Sequence, residues 1–325
     1  MPTPIGTDTL TSISRHVILP SIIDQVYQSN ALFWRLNRAN KKQYEGGLHI
    51  EQPFMTSTWG TVGEYSGFDL LDTTPQDNII NGGWDLRQYY AAVSIDTRTL
   101  ARANSEMAVA NILKVQWEQA RIGLADRLGT DFWGSNATGS GKKIDGLKDI
   151  VDAGTVATSY AGLLRSGNTF LNANMNTTSA TLTLSVLRSL ISDCTKGGHT
   201  PSSLWGRKEQ YNRLWALQQA FQQFPVGPGL VDDAFAQAGF RHLWFDQIPF
   251  CVDDKVFDGP NTSNSAIVAL NEDLLQISLW SSTDFEMEDL RKPVNQQALV
   301  GFLHWWGNLI HPAPQLNGAL TAIAG

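Results

Sequence analysis

Cysteine is nearly missing from this chain. Cys194 and Cys251 are its two cysteines in 325 residues, too few for a disulfide framework and consistent with a reducing compartment. Charge is scarce as well: Asp, Glu, Lys and Arg together make up 17% of the residues, against roughly 25% in ordinary soluble domains. No run of apolar residues is long enough to span a membrane. The stretch Met1–Leu10 has neither a basic region nor an apolar run, so no signal peptide is expected. Positive charge is in deficit, with a net charge of −7, which argues against general nucleic-acid binding through phosphate neutralisation. The one basic cluster, Arg35, Arg38, Lys41 and Lys42, reads as a solvated face or a protein contact rather than a phosphate site.

Signatures of chemistry are absent too. The six histidines, His16, His49, His199, His242, His304 and His311, show no H-x-x-x-H or H-x-H spacing, so no metal site is expected. GSNATGSGKK (Gly134–Lys143) lacks the Lys-Ser/Thr step of a phosphate loop and follows a predicted helix rather than a strand. In Gly63–Gly67 the serine sits one place too late for a nucleophile elbow. Asp232-Asp233 and Asp253-Asp254 are more simply solvated turn pairs than cation ligands. The expectation is no catalytic residue, no metal and no cofactor.

What the chain does have is aromatic mass. Eleven tryptophans and 42% hydrophobic residues are ample for a large core, and the low charge implies much surface facing protein rather than water. In STWGTVGEYSGFDLLDTTPQDN (Ser57–Asn78), Trp59, Val62, Tyr65, Phe68 and Leu71 recur every third position. Neither a strand, with its period of two, nor a helix of period 3.6 presents such a set on one face. The stretch reads as a long excursion at the tip of a hairpin, between a strand near Leu48–Pro53 and a return strand through Trp84, Leu86, Tyr89-Tyr90, Val93 and Ile95.

The clearest element is a helix over 105–133, with Val109, Leu113, Trp117, Leu124 and Leu128 as its core stripe. Asn104 or Ser105 can cap its start and Gly134 its end. Residues from Gly134 to about 180 read as polar and loop-rich. A helix capped by Thr183 and stopped by Gly197-Gly198 follows, then one over Arg207–Gln222. Short strands are predicted at Phe240–Phe245, Ile248–Val252 and Ala266–Leu270, and closing strands at Asp284–Leu290 and Ala298–Ile310. The class is α+β.

Taken in order, these parts resemble the major capsid proteins of tailed bacteriophages, with the Hong-Kong-97-like fold also seen in encapsulins. The resemblance rests on an ordered set: Asp24–Tyr27, Ala31–Trp34 and Tyr44–Gly47, then YSGFDLLDTTPQDN (Tyr65–Asn78) and WDLRQYYAAVSID (Trp84–Asp96). Gly239-Phe240, Ile248-Pro249, Val252-Asp253, Ala269–Asn271 and WWGNLIHPAPQLNGAL (Trp305–Leu320) complete it. It implies an N-terminal arm over 1–45, an extended loop over 46–95, a peripheral domain over 96–165 plus 283–325 carrying the spine helix, and an axial domain over 166–282.

The resemblance further implies a virion shell protein that assembles in the host cytoplasm, as hexamers and pentamers, around double-stranded DNA held only non-specifically. Trp59, Val62, Tyr65, Phe68 and Leu71 would touch a neighbouring subunit, as would Phe33, Trp34, Arg35 and Arg38 of the arm. A separate scaffolding protein or none, a portal and room for a decoration protein are what the resemblance implies, since the loop begins too early in the chain for a fused scaffold. Some members cross-link their shells through a loop lysine; no lysine occurs between Lys42 and Lys114, so a non-covalent shell is expected. The nearest alternative is an encapsulin-like compartment. A hydrolase using Asp232, Asp253 and a histidine, and a sugar-binding module using the exposed tryptophans, are the alternatives from other classes.

Overall fold

A computed structural model describes residues 30–46, 49–98, 106–138, 140–177, 180–219, 242–259, 266–294 and 297–324. Helix α1 (Ala31–Ala39) turns Ala31, Leu32, Phe33 and Leu36 inward. It leads into strand β1 (Lys41–Tyr44), and a hairpin follows, β2 (His49–Met55) against β3 (Ile79–Asp85). Strand β4 (Arg87–Asp96) starts one residue beyond β3. The predicted single return strand is therefore two strands broken at Leu86: β3 pairs with β2, whereas β4 pairs with β14 (Ala298–Ile310). The hairpin proper ends at Asp85 rather than near residue 95.

Helix α2 (Glu106–Trp133) has 28 residues and is about 42 Å long at 1.5 Å per residue. Leu124 and Leu128 are buried as expected, and the stripe continues into Phe132 and Trp133. Leu113 and Trp117 are only half-buried, with Trp117 packed against the edge of the main core. The side chain of Val109 and the capping positions Asn104 and Ser105 lie outside the described residues.

The sheet beneath α2 has the order β1-β13-β14-β4, with β13 spanning Gln276–Met287. Period-two alternation sends Val93, Ile95, Leu303 and Trp305 to the helix side. At Gly301 a Cβ would stand 3.0 Å from the Trp117 ring, so glycine is what lets helix and sheet approach there. β13 begins eight residues before the predicted Asp284, because Ile277 and Leu279 continue the buried face; a register shift between Leu279 and Asp284 hides this continuity in the sequence.

Beyond α2 come a short helix α3 (Leu147–Ile150), the small hairpin β5 (Ser159–Tyr160) and β6 (Leu163–Leu164), and then β7 (Asn174–Asn176) and β8 (Ala180–Thr181). Helix α4 (Leu184–Cys194) is capped by Thr183, whose hydroxyl accepts from the Val186 N–H at 3.3 Å. It stops before a tight Lys196–His199 turn. The remaining elements are β9 (Ser203–Gly206), α5 (Lys208–Gln219), β10 (His242–Phe245), β11 (Ile248–Val252), β12 (Ile267–Leu270), β15 (Gly318–Leu320) and β16 (Ile323–Ala324). A second sheet takes the order β10-β11-β9-β12-β15-β7.

Two expected boundaries move with these pairings. Residues 276–282 belong to the sheet under α2, whereas β15 leaves that sheet and pairs with β12 and β7 of the other. Residues 31–44 are part of the body, not an arm: α1 lies in the main core and β1 runs parallel to β13. One continuous core contains Phe33, Leu128, Trp133, Trp205, Val268, Trp305 and Ala319, so both sheets share it.

The stretch 134–177 is more ordered than its polar composition suggests. Arg165 is buried and donates to the carbonyls of Asp152 and Asp149, each at 2.5 Å, and to that of Leu171. Asp152 accepts from the backbone N–H groups of Gly154, Val156 and Ala157 at 2.9–3.0 Å. Buried polar groups of this kind persist only when paired. Asp253 is likewise no solvated turn residue: it is buried and accepts from the N–H groups of Leu32 (3.3 Å) and Lys255 (2.9 Å). Burial pushes its carboxyl above the ordinary range. Asp232-Asp233 lies outside the described residues.

Candidate assembly surface

The hairpin is firmly seated at its base. Phe54 of β2 meets Trp84 of β3 edge-on with ring centroids 6.0 Å apart, and Trp84 meets Tyr160 at the same spacing. The Gly83 N–H donates to Ala161 O at 2.9 Å. A Cβ on Gly82 would come within 2.4 Å of the Phe54 ring, so the aromatic pile sits directly on the β3 backbone.

Above Met55 and Ile79 the ladder ends and polar links take over. Thr56 N–H donates to Asn78 O at 2.9 Å, and Gly60 N–H to Gln76 Oε1 at 2.8 Å. Farther out, Ser66 N–H donates to Asp69 Oδ2 at 2.8 Å across a turn whose Gly67 has φ +51°. Asp72 accepts from the N–H (3.0 Å) and hydroxyl (2.6 Å) of Thr74, which hold its carboxyl below the ordinary range.

These links shape the excursion without covering its apolar groups. Trp59 is 55% exposed, Val62, Tyr65 and Leu71 are exposed, and Phe68 and Leu70 are fully so. All five residues singled out by their period-three spacing thus lie outside the core of their own chain. The excursion is also acidic. Glu64, Asp69, Asp72 and Asp77 are exposed, and no Lys or Arg occurs between Lys42 and Arg87.

The four residues expected at an arm contact separate into two pairs. Phe33 is buried against Phe132, with ring centroids 5.3 Å apart, and Arg35 forms an ion pair with the buried Glu272. Both are engaged within their own chain, because the helical period turns them toward the body. Trp34 and Arg38 face outward: Trp34 is 44% exposed, and the Arg38 guanidinium lies 5.6 Å from its ring centroid. Lys42 on β1 is exposed as well.

Two further surfaces escaped sequence reading. On the face of β4 and β14 away from α2, Tyr90 is exposed and meets Phe302 edge-on at 6.2 Å, with His304 and Trp306 alongside. Its alternation within β14 was visible, but which side α2 would cover was not. The second is an open cleft of about 540 Å³ at the hairpin base, lined by His49, Glu51, Asp85, Asp145, Asp149 and Tyr160 among others. His49 pairs with Asp85 across the ladder. Asp149 is raised by its burial, although Ser135 Oγ and Asn136 N–H donate to it at 2.5 Å. Among the described residues no group of three or more His, Cys, Asp or Glu side chains is arranged to hold a metal ion. None of their helices is long and apolar enough to cross a membrane.

No protein-family model matches this chain, and no curated protein matches it. Solved structures do. The capsid asymmetric unit of cyanophage A-1(L) superposes with a TM-score of 0.66 at 14% identity, covering 98% of this chain and 99% of that one. The capsid of a native GTA particle gives a TM-score of 0.62 at 13% identity, covering 95% and 96%. The holo-SrpI encapsulin complex from Synechococcus elongatus PCC 7942 gives 0.59 at 10% identity, covering 99% and 96%. The chain therefore has the mixed α/β capsid fold that these structures share.

Proposed function

We propose that this chain is the major capsid protein of a tailed bacteriophage, assembling as hexamers and pentamers into an icosahedral shell around double-stranded DNA. The observation that carries the reading is the seated hairpin with its exposed aromatic tip. Five large apolar side chains at roughly 1.5–3 kcal/mol each represent about 10 kcal/mol of burial that the chain itself leaves unrealised. Pairwise association costs on the order of 4–15 kcal/mol, so one such contact is marginal. A shell repeats it, each copy giving one loop and receiving one in a heterologous ring. Weak single contacts let misplaced subunits leave, and closure stabilises the finished particle.

In this reading the hairpin 49–85 is the extended loop and α2 the spine helix of a peripheral domain that includes the four-stranded sheet. The six-stranded sheet with α4 and α5 forms the axial domain. The role is structural rather than enzymatic. The net charge of −7 suits a wall that must not adhere to packaged DNA. The shell belongs to the virion and is built in the host cytoplasm with a separate scaffold and a portal, with room outside for a decoration protein.

The second reading, an encapsulin-like compartment, has in its favour the near-full-length match to a solved encapsulin. Electron microscopy of particles from expressing cells, with their nucleic-acid content measured, tests both. Icosahedral particles with DNA in the native setting are expected. Shells enclosing an enzyme and no genome would favour the compartment, and small soluble oligomers alone would end the shell reading.

A further inference from the structure

We propose that Gln76 and Asn78 are positioning residues for assembly: their side chains clip the two limbs of the loop together on either side of Trp59 and present its indole, already set, to a neighbouring copy. This rests on the shell reading above and names what holds the anchor of the loop in place.

The backbone ladder between β2 and β3 ends at the pair Met55 and Ile79. Thr56 makes one further step, its N–H and hydroxyl both donating to Asn78 O, at 2.9 and 3.1 Å. Beyond it, side chains of the return limb take the place of ladder partners. Asn78 Nδ2 donates to Thr58 O at 3.3 Å, and Gln76 Oε1 accepts from Gly60 N–H at 2.8 Å. The two amides also meet each other, Asn78 Nδ2 donating to Gln76 Oε1 at 3.4 Å. A Cβ on Gly60 would stand 3.1 Å from Gln76 Nε2, so glycine is what lets the amide lie this close to the backbone. Apart from Thr61, Gln76 and Asn78 are the only half-buried residues of 57–78.

Thr58 and Gly60 are the chain neighbours of Trp59. The backbone of Trp59 is thus held on both sides by the opposite limb, while its side chain stays 55% exposed. Among the described residues, the other apolar side chains of the excursion lack such bonds across the limbs. Ser66 and Asp69, around Phe68, bond to each other within one turn, and Asp72, beside Leu71, bonds to Thr74. An aromatic ring on a backbone already fixed loses less freedom on contact than one on a free loop, and large aromatic rings dominate interface energetics.

The test is the subunit concentration needed for half-assembly, read by sedimentation. Gln76→Met keeps the length of the side chain and removes the accepting oxygen. It should raise that concentration about tenfold, with the melting temperature of unassembled subunits unchanged. In a Trp59→Leu background the same change should raise it less than about twofold, because the clip then has no indole to position. Amide exchange at Gly60 in unassembled subunits should quicken in Gln76→Met and stay slow in Gln76→Glu, which retains the acceptor. The proposal is overturned if Gln76→Met assembles like the parent, if its penalty is the same in both backgrounds, or if exchange at Gly60 does not change. Trp59→Ser with Phe68→Ser separates the two levels. If that variant fails to assemble while Gln76→Met succeeds, the shell reading stands and the clip is only local structure. If both assemble normally, the loop reading falls with it.

Discussion

The Tyr160 hydroxyl joins β5 to the backbone of His311, 151 residues away: it donates to His311 O at 3.2 Å and accepts from His311 N–H at 3.1 Å. One side-chain oxygen thereby satisfies both backbone groups of a fully buried residue at the point where the chain leaves β14 for the other sheet. Burial pushes the Tyr160 phenol well above its ordinary value, keeping it a donor at any physiological pH.

Tyr160→Phe should therefore cost about 1–3 kcal/mol, because it strands a buried N–H and C=O at once. Urea unfolding of the unassembled subunit measures this as a lowered midpoint at unchanged slope. A midpoint equal to the parent's would mean that water or a rearranged backbone replaces the hydroxyl.

Acid should weaken the subunit through His311. Its Nδ1 accepts from Ala313 N–H at 3.2 Å, which requires a neutral ring with no proton on that nitrogen, and Nε2 lies 3.1 Å from both Asn271 O and Asn317 Nδ2. Burial lowers its pKa from 6.5 to about 4. Between those values the unfolded chain binds the extra proton, so this contribution is complete above pH 6.5 and is lost as pH falls toward 4. At about 1.4 kcal/mol per pH unit the loss is roughly 3 kcal/mol. Asp149 and Asp253 act in the opposite direction, since burial raises both. Urea midpoints at pH 7 and pH 5, taken on the parent and on His311→Gln, separate the two contributions, and a parent midpoint that falls no more than the variant's over this range would refute the His311 assignment.

Changing Trp59 and Phe68 together to Ser should leave subunit stability within about 0.5 kcal/mol, because both side chains are exposed. Assembly should be lost nonetheless. Thermal melting of unassembled subunits, paired with sedimentation of assembly mixtures, reads the two effects separately, and an unassembled variant melting well below the unassembled parent would place these rings in their own subunit's core.

Mature particles should dissolve to single chains in denaturing gel buffer. The loop offers no lysine amine for a cross-link to a neighbour, since none lies between Lys42 and Lys114. Ladders of covalent oligomers would contradict this.

Much of this molecule could be read from local pattern. The i, i+4 stripe through Leu124 and Leu128 marked α2 almost to the residue, Thr183 marked the start of α4, and the period-three aromatics marked a segment that cannot bury itself. Those signals are intrinsic to the segments that carry them. Helical and strand periods show which residues share a face, and the tip residues matched neither period.

Other features depended on distant partners. Whether Phe33 and Arg35 faced a neighbour or their own body was decided by Phe132 and Glu272, far along the chain. The break at Leu86, the return of β15 to the other sheet, and the burial of Asp152, Arg165 and Asp253 are of the same kind. A strand's partner and a polar group's burial are set by which remote segments close around it, and local sequence periodicity carries no record of that choice. Local pattern was enough to specify the elements and the unburied tip; long-range packing chose which surfaces were left facing outward to meet another copy.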